Sequence, residues 1–185
     1  MARHDHASVP VDRVAACHTG GMQKIPRSDP RAKKMSSDID LELDELREHL
    51  NGPHQWIIAT TRSDGRPQMS LVTGGMTADG RLAVSTYPSR AKAKNARRNP
   101  DVSIMVMGEH FHDAWVQIDG KSEVKDMPEA SDDFVEYFRC ISGEHSDWEE
   151  YRQAMADQGK CIIMITPTSW SPLSKGGFPP ELFED

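Results

Sequence analysis

Two periods of apolar residues divide the chain. Ile39, Leu43, Leu46 and Leu50 recur at helical spacing on one face. Ser36-Ser37-Asp38 ahead of them can cap a helix, and Asn51-Gly52-Pro53 behind them stops one, so a first helix is predicted between these signals. Beyond Pro53 the period falls to two. Residues 56–62 form a β-branched run and Asp64-Gly65 is a hairpin turn. Gln68, Ser70 and Val72 then alternate with Met69, Leu71 and Thr73, giving one apolar face and one that offers polar side chains. Gly74-Gly75 and Ala78-Asp79-Gly80 break the pattern before a third strand over 81–87. Pro88-Ser89 opens a short basic helix, with Ser89 as its N-cap. That helix ends at Asn99-Pro100, because a proline cannot continue a helix interior. Strands follow over 102–108 and 111–124, the second long enough to need a bend or bulge. Pro128 starts a helix with Phe134, Phe138 and Ile141 on one face, and Gly143 ends it. Ser146-Asp147-Trp148-Glu149 caps another, apolar at Trp148, Tyr151 and Met155, and a last strand covers 160–166.

The order is helix, three strands, short helix, two strands, two helices, strand. It predicts a mainly β, α+β domain of six antiparallel strands with flanking helices, closed into a barrel because closure hides the sheet's edges. Residues 1–35 lack sustained periodicity and read as a flexible N-terminal tail. The barrel domain is expected over 36–168, and the Pro- and Gly-rich stretch 169–185 reads as a C-terminal tail.

Composition then narrows the function classes. A net charge of −7 disfavours nucleic acid as the main partner, since phosphate backbones need a basic surface. No apolar run approaches the roughly 20 residues that span a bilayer, so no membrane association is expected. The opening residues lack the apolar stretch of a secretory signal, so a cytoplasmic location is expected. Cys17, Cys140 and Cys161 are odd in number and far apart, and suggest neither a disulfide framework nor a CxxC metal pair. Charge is unevenly spread: residues 1–34 carry 7 Lys and Arg against 3 Asp and Glu, leaving 15 against 26 in the remainder. Within that acidic remainder Arg90, Lys92, Lys94, Arg97 and Arg98 form a basic island, as expected of a site for a discrete anion.

The island sits in Ser85-Thr86-Tyr87-Pro88-Ser89-Arg90-Ala91-Lys92-Ala93-Lys94-Asn95, where a strand ends in hydroxyl residues and a helix begins. A helix N-terminus offers free backbone N–H groups and the favourable end of its dipole to an anion. Ser89 adds a hydroxyl, Arg90 can grip a phosphate with two parallel hydrogen bonds, and Lys92 and Lys94 supply point charge. The alternative is a solvated basic helix; the strand-end position beside Ser85 and Thr86 favours a site.

These residues resemble the split-barrel superfamily of pyridoxamine-phosphate-oxidase-like proteins, FMN-binding in type, and within it the oxidoreductases that depend on the deazaflavin coenzyme F420. Asp64-Gly65-Arg66-Pro67-Gln68-Met69-Ser70 is similar to the family's second-strand motif. Ser89-Arg90-Ala91-Lys92 through Arg97-Arg98-Asn99-Pro100 is similar to its phosphate-binding helix. Gly143-Glu144-His145-Ser146-Asp147-Trp148 through Tyr151-Arg152-Gln153-Ala154-Met155 resembles a helical segment of the actinobacterial deazaflavin branch. The likeness covers roughly residues 40–168. It implies a homodimer with cofactor at the subunit interface, and hydride transfer from reduced F420 to a small electron-poor acceptor such as an activated alkene or quinone. Gln68 and Ser70 would approach the cofactor ring, and Ser85 and Thr86 would line the neighbouring strand edge. Ser89, Arg90 and Lys92 would hold the phosphate region with help from Lys94, and Trp115 and Val116 would reach across from the partner subunit. No side chain is singled out as a catalytic acid or base. FMN is the alternative cofactor, and a non-catalytic flavin, deazaflavin or haem carrier the alternative role. Residues 168–185 contain no Arg, whereas the pyridoxamine-phosphate oxidases themselves end in a Trp- and Arg-containing segment, so vitamin B6 oxidation is not expected.

Other patterns lead to blander readings. His110 and His112 point the same way on a strand without an evident third ligand, so a polar hairpin tip is expected rather than a metal site. His4, His6 and His18 fall in the N-terminal tail. Glu144-His145-Ser146 lacks a GxSxG elbow, which disfavours hydrolysis. GxGxxG, P-loop and HExxH motifs are missing from the sequence.

Overall fold

The structure, a computed structural model, describes residues 38–39, 42–50, 54–110, 113–171 and 173–174. The expected tail over 1–35, with Cys17 and its histidines, lies outside the described residues, as do His112 and the stretch beyond Ser174.

The elements in chain order are β1 (Asp38–Ile39), α1 (Leu43–His49), β2 (His54–Thr61), β3 (Pro67–Met76), β4 (Leu82–Thr86) and α2 (Ala91–Arg98). They continue with β5 (Asp101–Met107), β6 (Trp115–Asp126), α3 (Ser131–Ser142), α4 (Trp148–Asp157), β7 (Cys161–Trp170) and β8 (Leu173–Ser174). Six strands run antiparallel in the order β6-β5-β2-β3-β4-β7, and pairing of β6 with β7 closes them into the expected barrel. The short strands β8 and β1 extend the sheet from β6. Among the described residues no helix is long and apolar enough to cross a membrane.

Period two explains the barrel's filling. Trp56 and Ile58 of β2, Val102, Ile104 and Val106 of β5, Val116 and Ile118 of β6, and Ile163 and Ile165 of β7 point inward and are all but inaccessible. Leu46 of α1, Leu50 just beyond it, and Ala96 of α2 join this core. Each such aliphatic or aromatic burial contributes about 1.5–3 kcal/mol. A second core forms outside the barrel, where Phe134 and Tyr137 of α3 and Tyr151 and Met155 of α4 pack on Ala83, Ile162 and Met164. Strand β7 is therefore covered on both faces, which accounts for its continuous buried run from Cys161 to Ile165.

The hairpin at Asp64-Gly65 forms as predicted: Gly65 has φ +81°, and the Asp64 carboxylate accepts from the Arg66 backbone N–H and guanidinium. The expected irregularity in the long strand is a register shift between Asp119 and Gly120. Several element ends differ from expectation. The first helix begins at Leu43, where Glu42 and Glu45 make a reciprocal capping box, while Asp38 and Ile39 pair with Ser174 and Leu173. Helical spacing cannot register a pairing with residues so distant in sequence. Helix α2 has Arg90, not Ser89, at its N-cap, with no side-chain cap. Helix α3 starts at Ser131, after a turn through Pro128. Asp147, not Ser146, caps α4, its carboxylate accepting from the backbone of Glu149 and Glu150. Strand β7 runs to Trp170 because β6 continues to pair with it.

One seam of the barrel is incomplete. Strand β3 pairs with β4 only at Gly74, Gly75 and Met76. The first seven residues of β3 pair with β2 on one side but leave β4 on the other, while β4 stays paired with β7 along its whole length. Helix α2 follows β4 at this opening and touches β2, β3, β6 and β7.

Candidate functional site

The split between β3 and β4 opens a cleft of about 470 Å³ lined by Ser70, Ser85, Thr86, Tyr87, Arg90, Ala91 and Lys92. Strand β3 supplies Ser70, the end of β4 supplies Ser85 and Thr86, and the turn into α2 brings Arg90 and Lys92. The strand-to-helix junction read from the sequence thus lies at a real concavity. Five of the ten expected residues meet there: Ser70, Ser85, Thr86, Arg90 and Lys92.

The others fall around or away from it. Gln68 does not line the cleft but donates from Nε2 to Ser70 Oγ at 2.7 Å, fixing the residue that does. Ser89 is exposed in the turn and Lys94 is exposed on the outer side of α2. Trp115 is partly exposed on the row of the sheet that faces away from the core, paired with Met107. Val116 points the other way and is wholly enclosed by the barrel core. Its side chain therefore cannot reach across to a partner's ligand; only its backbone could take part.

The basic island divides into two sets. Arg97 donates to the Asp126 carboxylate at 2.6 Å, and Arg98 donates to Thr61 O at 2.7 Å and Asn95 Oδ1 at 2.9 Å. These two arginines are engaged within the fold. Arg90, Lys92 and Lys94 form no ion pair among the described residues. Lys92 is partly buried, and burial first and the Arg90 charge second push its pKa down from its ordinary value. The negative charge of an anion in the cleft would offset both effects. Two residues not singled out from sequence belong with this group: Tyr87 lines the cleft, and Lys160 Nζ lies 5.7 Å from its ring centroid, adding a cation at the rim. Tyr87 could have been read from its place inside the quoted motif; Lys160 reaches it only through the β4–β7 pairing.

Polar hydroxyls and unpaired cations around one concavity suit an acidic ligand bearing phosphate. Among the described residues no cluster of three or more His, Cys, Asp or Glu side chains is arranged to hold a metal ion.

Comparison with known proteins agrees with this architecture. The family model described as pyridoxamine 5'-phosphate oxidase matches residues 43–174. Among solved structures, a conserved hypothetical protein from Mycobacterium tuberculosis is 23% identical, with a TM-score of 0.60 over 76% of this chain and 88% of the other. A structure named as an F420 reductase is 20% identical, with a TM-score of 0.50 over 68% of this chain and 94% of the other. An FAD-binding protein from Mesorhizobium loti is 18% identical, with a TM-score of 0.54 over 76% of this chain and 99% of the other. At these identities the likeness is one of fold.

Proposed function

The chain belongs to the pyridoxamine 5'-phosphate oxidase family, and from that premise we propose that it is a reductase using coenzyme F420, bound in the cleft between β3 and β4. The observation that carries this reading is the cleft itself, where Arg90 and Lys92, which form no ion pair among the described residues, line one concavity with Ser70, Ser85 and Thr86. When bound, the deazaflavin supplies a hydride for an electron-poor organic acceptor. The protein's part is placement: Arg90 and Lys92 hold the phosphate region, Lys94 and Lys160 extend the cationic rim toward an acidic tail, and Ser70, Ser85 and Thr86 face the ring. The structures named for an F420 reductase and an FAD-binding protein share the fold, which supports a flavin-type ligand without choosing between them.

The proposed assembly is a homodimer with the cofactor at its interface. Its support is an apolar outer face on which Leu71 is 78% and Met69 60% exposed, in register with Ile57 and Ala59 of β2 and, beyond them, Met105 and Ser103 of β5. Trp115 lies on the same outward side and would be the residue offered to the partner's cleft.

FMN is the second reading, favoured by one observation. With Arg97 held by Asp126 and Arg98 by Asn95 and Thr61, the free charge is shorter than the sequence suggested, which suits a compact terminal phosphate. Titrating purified protein with F420, FMN and haem, followed by fluorescence and absorbance, separates the readings. Saturable F420 binding and turnover with an acceptor panel are expected. Tight binding without turnover would favour a carrier, and a Soret shift would point to haem. Replacing both Arg90 and Lys92 by Ala should weaken F420 binding by several kcal/mol, at about 1.5–3 kcal/mol for each charge-assisted bond lost. Unchanged affinity in that double variant would remove the cleft from the proposal.

A further inference from the structure

We infer that Thr60 and Asn95, two buried polar residues behind the cleft, are positioning residues that set the Ser70 hydroxyl as a hydrogen-bond donor toward the bound ligand. The inference rests on the reading of the cleft as a cofactor site. Thr60 is 2% and Asn95 7% exposed, and polar side chains so enclosed are kept only where they are paired. Their partners form one chain that ends in the cleft.

The polarity of that chain is dictated from one end. A guanidinium group can only donate, so the Arg98 contact at 2.9 Å identifies Oδ1 as the oxygen of the Asn95 amide. The Asn95 nitrogen is left to face Thr60, and it donates to Thr60 Oγ1 at 3.1 Å. The Thr60 hydroxyl, already accepting, gives its one proton to Gln68 Oε1 at 3.0 Å in preference to Gln68 O at 3.4 Å. With its oxygen held there, Gln68 turns its amide nitrogen to Met69 O at 2.8 Å and to Ser70 Oγ at 2.7 Å. Ser70 therefore accepts from within the fold and keeps its own proton. Among the described residues that proton has no acceptor.

Ser70 lines the cleft, so the donor is presented to the ligand. The ligand atom opposite it must carry a lone pair, as a ring carbonyl oxygen or an unprotonated ring nitrogen does, and a ring N–H is disfavoured there. Thr60 and Asn95 touch no ligand in this arrangement. They act by excluding the opposite orientation of Gln68, in which its carbonyl would take the Ser70 proton away from the cleft.

Affinity for F420 and for FMN, measured by fluorescence titration, tests the inference in Thr60→Val, Ser70→Ala and the double variant, with Thr60→Ser as the conservative control. Thr60→Val should weaken binding of whichever cofactor the wild type takes by a factor of about 5–10, as loss of one oriented hydrogen bond does. Thr60→Ser should restore it. The double variant should bind no worse than Ser70→Ala, because both changes remove one interaction. Asn95→Asp covers the case in which Thr60→Val does not fold. Its carboxylate keeps the Arg98 bond but takes the Thr60 proton, which reverses the chain, so affinity should again fall while the melting temperature holds. Unchanged affinity in Thr60→Val and Asn95→Asp, or losses that multiply in the double variant, would overturn the inference and leave the cofactor reading intact. A wild type that binds neither cofactor would overturn both.

Discussion

A lysine withdrawn from water beside an arginine holds its proton less firmly than a free one, and Lys92 is such a residue. A bound phosphate acts in the opposite direction and raises the pKa again. The sign of the pH dependence follows by linkage. Ligand binding favours protonated Lys92, so affinity is full while the pH lies below the pKa of the free protein. It falls as the pH climbs past that value, which lies short of the ordinary 10.5, and levels off above the pKa of the complex. Titrations of cofactor affinity against alkaline pH should show this decline, and Lys92→Gln should flatten it. At this scale the sequence disclosed what is local. Arg90 and Lys92 were legible because charge and a strand end coincide within a few positions. The engagement of Arg97 with Asp126 and of Asn95 with Thr60 was not, since the partners lie 29 and 35 positions away.

Elements announce their interiors more clearly than their ends. The alternation of Gln68, Ser70 and Val72 with Met69, Leu71 and Thr73 in β3 was readable because successive strand residues face opposite sides, while the start of α1 and the reach of β7 depend on distant pairing partners. Gly74 shows a constraint of the same non-local kind. A Cβ there would lie 2.2 Å from the Trp56 ring, which is fully enclosed in the barrel and has nowhere to retreat. Gly74→Ala should therefore destabilise the protein by about 1–3 kcal/mol, the usual effect of overpacking a core. Urea denaturation would measure it, and a change within about 0.5 kcal/mol would mean the indole has room to shift. In the sequence Gly74-Gly75 looked like a break between strands; in the structure β3 passes straight through both.

For the molecule as a whole, a closed barrel was foreseeable from strand count and alternation, whereas which face of β3 would point outward was not. The apolar face of β3 assigned from its alternation proves to be the outward one, with Met69 and Leu71 in the open and Gln68, Ser70 and Val72 turned toward the barrel. If that face joins two copies, Leu71→Asp should leave the barrel folded and shift sedimentation from dimer to monomer, with cofactor affinity lost in step. A wild type that already sediments as a monomer would count against the assembly. The incomplete seam beside that face has a broader consequence. Two more rungs between β3 and β4, at Ser85 and Thr86, would complete the hydrogen-bond ladder along β4 and, in doing so, close the chamber beside Arg90. On the proposed reading a zip left half open is the molecule's working part, and substitutions that tempt the two strands to fasten further should make a sturdier protein with nothing left to hold.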